Sequence, residues 1–159
     1  MFWRRRNHHR IYWITDDIAI SSEPSSGAWT EVRSAGVRCV VDLRLEASDN
    51  AHDVTAQGLS YVRIPIADGA APTQEQLDQA TGWIDEHLGS EGPVLIHCRE
   101  GRSRSATVAI AALVSMGMPL FEAFRMTLRV RPETAITDAQ EEALRAFALG
   151  REPFREAGS

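Results

Sequence analysis

The sequence predicts an α/β fold in which a central, mostly parallel sheet is flanked by helices. Three features of the chain lead to that expectation. Strand-like and helix-like segments alternate along most of its 159 residues. The segment Pro93 to His97 is short and apolar, as expected of a strand at the centre of a sheet covered on both faces. The last third is helical, with Pro119 and Pro132 separating its segments.

In chain order, a strand is expected near 12–20, a helix near 26–35 and a strand over 37–44, where Val37, Val40 and Val41 supply β-branched apolar side chains. A helix over 46–57 and a strand over 59–66 follow. Pro72-Thr73, with Glu75 and Gln76 in the first turn behind them, marks the start of a helix over 73–89. The strand over 93–97 comes next, then helices near 104–116, 119–130 and 137–149, the last ended by Gly150. A chain of this length, 43% hydrophobic, buries one core of ordinary size. The expected organisation is a basic, disordered arm over 1–10, one catalytic domain over 11–150 and a short tail over 151–159.

Charge is shared unevenly. The net charge is −5, yet the first ten residues hold four arginines and no acid, so the rest carries −9. An acidic body repels polyanions, which argues against nucleic-acid binding. The arm, with Phe2 and Trp3, is expected to be solvated, with weak contact to an anionic membrane surface as the alternative. No apolar run of 18 residues is present, so no transmembrane helix is expected.

Chemistry concentrates in His97-Cys98-Arg99-Glu100-Gly101-Arg102-Ser103-Arg104-Ser105. Five residues between a thiol and an arginine let the backbone curl into a ring of inward N–H groups, a nest of phosphate size. The apolar run after it reads as a helix whose positive end faces the same anion. Thiols in such surroundings ionise readily, which makes Cys98 the nucleophile candidate. Gly101 permits backbone angles and a close approach that a side chain would obstruct. Arg104 offers a planar fork for two phosphoryl oxygens. Ser105 is placed to hydrogen-bond the sulfur as it leaves, and His97 to orient the loop rather than act as a base. Burial of Cys98 as a small hydrophobe conflicts with three arginines beside it. Cys39, inside an apolar strand, is expected to pack in the core. His8, His9, His52 and His87 show no ligand spacing, and neither a metal nor another cofactor is expected. Two unlike cysteines form no disulfide framework, and a reactive thiol requires reducing surroundings, so a cytoplasmic location is expected.

His-Cys-x-x-Gly-x-x-Arg-Ser resembles the signature of the cysteine-dependent protein tyrosine phosphatases, and the order of parts is similar to their dual-specificity branch. The stretches 14–20, 40–44 and 61–66 resemble that family's first three strands, and Arg131-Pro132 followed by Gln140 its C-terminal helical segment. The resemblance implies a dual-specificity phosphatase-like fold and hydrolysis of phosphate esters through a phosphocysteine. It also implies a general acid on the loop after the third strand, where Asp68 stands. An ordinary solvated loop aspartate is the bland alternative for Asp68. Asp78 and Asp85 compete poorly because they fall in a helix, and Asp42 because it ends a strand. Glu100 departs from the neutral or basic residue often found in this loop; it either discourages heavily phosphorylated substrates or pairs with a neighbouring arginine. A phosphorylated protein is the expected substrate. A phospholipid, phosphatidylglycerophosphate or a phosphoinositide, is the runner-up, because the loop from Gly101 to Thr107 also resembles that of the phosphatidylglycerophosphate phosphatases. A rhodanese-type sulfurtransferase has no use for Asp68, and a phosphate-binding module without turnover has no need of both acid and thiol.

Overall fold

The computed structural model describes residues 9–151. The expectations for residues 1–8 and 152–159 lie outside the described residues. Strands β1 (Tyr12–Trp13), β2 (Ile18–Ser21), β3 (Cys39–Arg44), β4 (Ser60–Ile66) and β5 (Val94–His97) form one sheet in the order β1-β2-β5-β3-β4. Every pairing is parallel except the β1–β2 hairpin at one edge. The α/β expectation therefore holds, and β5 runs down the middle of the sheet.

Three elements differ from the sequence reading. The strand expected over 12–20 is broken by a turn, because the Thr15 hydroxyl accepts hydrogen bonds from the N–H groups of Asp17 and Ile18 and reverses the chain. The helix expected over 46–57 is only α2 (Ala51–Ala56), capped by Asn50, whose side chain accepts from the N–H of Asp53. Residues 45–50 are instead a loop whose acidic side chains reach into the site described below. Helix α1 (Trp29–Ser34) is likewise shorter than expected.

The remaining helices follow the sequence closely. Helix α3 (Gln74–Ser90) starts in a capping box between Thr73 and Gln76, and α6 (Asp138–Leu149) in another between Thr137 and Gln140. Between them in sequence lie α4 (Arg104–Ser115) and α5 (Leu120–Val130). Side-chain alternation along the strands divides the core. Ile18, Ile20, Cys39, Val41, Leu43, Val94 and Ile96 pack with α3–α6, whereas Ala19, Val40 and Leu95 join Trp29, Val32 and Val54 of α1 and α2. Eleven consecutive residues of α4, from Arg104 to Val114, are buried. That helix is apolar all round because the sheet, α3, α5 and α6 surround it. Its N-terminus and the end of β5 are thereby fixed against each other, with Cys98 to Ser103 strung between them.

Candidate active site

Cys98 leaves the central strand at its carboxyl end, the edge at which parallel α/β sheets bind ligands. The loop that follows is held from outside by its carbonyl groups. Arg99 O accepts from the N–H of Glu23 at 3.1 Å and Arg102 O from the N–H of Ala135 at 2.8 Å. Glu100 O accepts from Nη2 of Arg131 at 2.8 Å. With these three carbonyls held from outside the loop, the N–H of Gly101 donates to Sγ of Cys98 at 3.2 Å. Gly101 has φ +68°, and a Cβ there would collide with the backbone of Ser21 and Ser22. Sγ lies 3.4 Å from Oγ of Ser105, and Cys98 is 3% exposed.

Arg104 closes the ring and is 1% exposed. Its Nη1 donates to Ile66 O at 2.8 Å and to Oε2 of Glu46 at 2.9 Å, while Nη2 donates to Oε1 of Glu46 at 2.7 Å. Nε is buried and meets no hydrogen-bond partner among the described residues. The fork of Glu46 keeps Arg104 charged, and Arg104 in turn holds the Glu46 carboxyl well below its usual range, at about 2.

Asp68 sits on the turn after β4, where the N–H of Ala70 donates to Ala67 O. Its side chain is 72% exposed and Oδ1 is 3.7 Å from Nη2 of Arg104. The structure thus brings Asp68 to the mouth of the Cys98 loop, beside a cleft of about 270 Å³ lined by Leu45, Glu46, Ala67, Asp68 and Arg99. Gln140, fully buried, ties the two loops together. Its Oε1 accepts from Ser103 Oγ at 2.8 Å and its Nε2 donates to Ala70 O at 3.2 Å. Asp78, on α3, pairs with Arg151 just past the end of α6 at 3.2 Å, and Asp42 is sealed inside the protein. Glu100 projects outward and pairs with Arg102 at 3.5 Å, both side chains being well exposed, an arrangement worth little in water.

Below the sulfur, on the α1–α2 side of the sheet, lies a buried polar cluster. The registry of β3 and β5 sets Asp42 opposite His97. Arg44 donates from Nε to Oδ1 of Asp42 at 3.0 Å, from Nη2 to Oδ1 of Asp49 at 2.8 Å and from Nη1 to Glu23 at 2.7 Å. The hydroxyl of Tyr61 donates to Oδ2 of Asp42 at 3.0 Å. Burial on its own pushes the Asp42 carboxyl up, but its bonds to Arg44 and the charge of His97 outweigh this and leave it below the ordinary value. Asp42, Asp49 and His97 gather their donor atoms within 4.8 Å, a spacing open to a metal ion. The guanidinium of Arg44 already bonds both carboxylates, so the charge of the cluster is met by the protein itself.

Cys39 lies at the opposite end of β3, fully buried, with its Sγ near the carbonyl of Gly92 and the carboxylate of Glu91. Burial and the charge of Glu91 push its thiol up to about 12. His87 is half-buried and stacks on Trp83 with ring centroids 3.8 Å apart. The residues that sequence reading missed are Glu46, Asp49, Arg44 and Gln140. A signal for the first two was present: Ser48-Asp49-Asn50 is a run of turn and cap residues that argues against a helix starting at 46.

A parallel sheet whose central strand ends in a thiol-to-guanidinium anion ring is the architecture of the cysteine-based phosphatases. Within that class the chain belongs to the family described as polymorphic toxin system, DSP-PTPase phosphatase, whose model matches residues 17–118. Dual specificity protein phosphatase 14 of Mus musculus is 28% identical over 124 residues, which cover 77% of this chain and 61% of that protein. Dual specificity phosphatase 28 of Homo sapiens is 28% identical over 121 residues, 75% of this chain and 66% of the relative. The chain thus spans about two thirds or less of these relatives. Among solved structures, Tk-PTP in the active form superposes with a TM-score of 0.80 at 32% identity, covering 87% of this chain and 96% of the other. PTPMT1 in complex with PI(5)P superposes with a TM-score of 0.80 at 21% identity, covering 88% and 95% of the two chains, and shares the fold.

Proposed function

We propose that this protein hydrolyses phosphate monoesters of phosphorylated proteins through a phosphocysteine formed on Cys98. The observation that carries the reading is the anion ring: loop carbonyls held from outside, an N–H on Sγ, and a buried Arg104 whose Nε faces no other acceptor among the described residues. In the first displacement the Sγ lone pair of Cys98 attacks phosphorus and the bond to the ester oxygen breaks. The N–H groups of residues 99–104 and the Arg104 guanidinium stabilise the three equatorial oxygens. Asp68, at the mouth, gives its proton to the departing oxygen. In the second displacement ionised Asp68 takes a proton from water as that water attacks phosphorus. The P–S bond then breaks, with the Ser105 hydroxyl bonding the released sulfur. His97 orients the loop and is neither acid nor base. Nothing in this scheme calls on a metal.

A protein substrate is favoured over a phospholipid by the relatives: dual specificity protein phosphatase 14 and dual specificity phosphatase 28 are similar to this chain over 77% and 75% of its length. No helix among the described residues is long and apolar enough to cross a membrane. A thiol nucleophile works in a reducing compartment, and we place the protein in the cytoplasm on that ground. The test is phosphate release from phosphopeptides, phosphatidylglycerophosphate and phosphoinositides under one set of conditions. Cys98→Ser should abolish turnover while retaining phosphate affinity. Asp68→Asn should slow alkyl esters far more than aryl esters, whose oxygen leaves without help. Turnover by Cys98→Ser, or an unchanged alkyl rate in Asp68→Asn, would overturn the respective assignment. Faster release from the lipids would move the substrate to that class.

A further inference from the structure

We infer that Asp49 is a positioning residue for the nucleophile, acting through His97; the inference rests on the phosphatase reading above. His97 is the last residue of β5, fully buried, and one peptide bond before Cys98. Its Nε2 lies 2.6 Å from Oδ2 of Asp49. An ionised carboxylate only accepts, so Nε2 carries the hydrogen. Nδ1 has no hydrogen-bond partner among the described residues, the nearest acidic oxygen being that of Asp42 at 4.0 Å. The rotation of the ring is therefore set by Asp49 and by packing near Trp29, whose ring centroid is 6.3 Å away.

Asp49 is itself locked in place. Its other oxygen accepts from Arg44 Nη2, its N–H donates to Oδ2 of Asp42 at 3.0 Å, and its side chain is 3% exposed. Buried in this way, it touches His97 rather than substrate. The same short loop carries Glu46, so residues 45–50 hold the Cys98 ring at both ends: Asp49 grips the residue before the thiol, and Glu46 grips Arg104. In-line attack needs sulfur and phosphorus aligned near contact distance, and a misplacement of about 1 Å can slow such a step about 100-fold. Fixing the ring beside Cys98 is how a side chain that never meets the phosphate governs the rate.

The experiment compares Asp49→Ala and Asp49→Asn with Tyr61→Phe. The tyrosine variant removes a hydrogen bond to Asp42 from the same cluster without touching His97. Three quantities are read: kcat and KM on an aryl phosphate, the vanadate inhibition constant, and the proton resonance of the His97 Nε2–H. For Asp49→Ala the expected result is a fall in kcat of about 10-fold to 100-fold. KM and vanadate affinity should change little, and the downfield Nε2–H signal should disappear. Tyr61→Phe should keep both kcat and the signal. Asp49→Asn offers an amide oxygen to Nε2 but presents an N–H group to Arg44, so its kcat should be intermediate, and it decides the matter where the alanine variant does not fold. The inference is overturned by a kcat loss no larger than that of Tyr61→Phe, by a persisting signal in Asp49→Ala, or by vanadate affinity falling in step with kcat. A wild-type protein that releases no phosphate refutes the phosphatase reading instead, and the Nε2–H signal then still reports whether Asp49 holds the ring.

Discussion

Replacing Glu46 by glutamine tests how far the arginine of the anion ring depends on a neighbour supplied by another loop. In the wild type both terminal nitrogens of Arg104 are engaged by the Glu46 carboxylate at 2.7 and 2.9 Å. Glutamine keeps the shape and one acceptor but removes the charge. The guanidinium, 1% exposed, would then be balanced by the charge of Cys98, by the Ile66 carbonyl and by Asp68 at 3.7 Å. Losing one partner of a wholly buried pair costs about 3–5 kcal/mol, whereas exposed pairs are worth about 0–1 kcal/mol. The Glu46 side chain is 37% exposed, so solvent screening places the loss between these limits, at about 1–3 kcal/mol. For a domain of this size each kcal/mol lowers Tm by about 2–4 °C. A second effect has the opposite sign. Phosphate restores the negative charge that the variant lacks, so adding it should raise the Tm of Glu46→Gln more than that of the wild type. Thermal melts of both proteins with and without inorganic phosphate read both effects. Equal Tm values, or equal phosphate-induced shifts, would refute the view that Glu46 balances the arginine.

Three further expectations follow from the same geometry. Gly101→Ala should lose most of its turnover and melt at lower temperature, because an alanine at φ +68° is strained and its Cβ meets the backbone of Ser21 and Ser22; activity and Tm near wild type would show that the loop relaxes freely. Iodoacetamide at neutral pH, followed by peptide mass mapping, should label Cys98 and leave Cys39 intact. A thiol raised to about 12 stays neutral until pH climbs through that value, and the stability its neutral form contributes is full below the ordinary value of 9. For Glu46 the sign is reversed: its carboxyl is depressed to about 2, so the pair contributes fully above 4.5 and its contribution fades as pH falls through about 2. The Tm difference between wild type and Glu46→Gln should be constant from pH 5 to pH 8, on the scale set by these two values, and shrink only in stronger acid.

The sequence alone determined the alternation of strands and helices, the central position of Val94–His97, the helix start at Pro72-Thr73, the helix over 137–149, and the loop from Cys98 to Arg104. These are local matters: periodicity, capping and loop length are settled by residues a few positions apart. The tertiary structure alone decided what faces that loop. Glu46 lies 58 positions from Arg104, Asp49 48 positions from His97, and Gln140 70 positions from Ala70. No local pattern encodes such meetings. The acidic run after β3 reads as the start of a helix until its carboxylates are seen spent on two cations and a histidine. Burial explains why those residues matter: a buried arginine or imidazole requires a partner, and only the packing of the sheet determines which distant side chain supplies it.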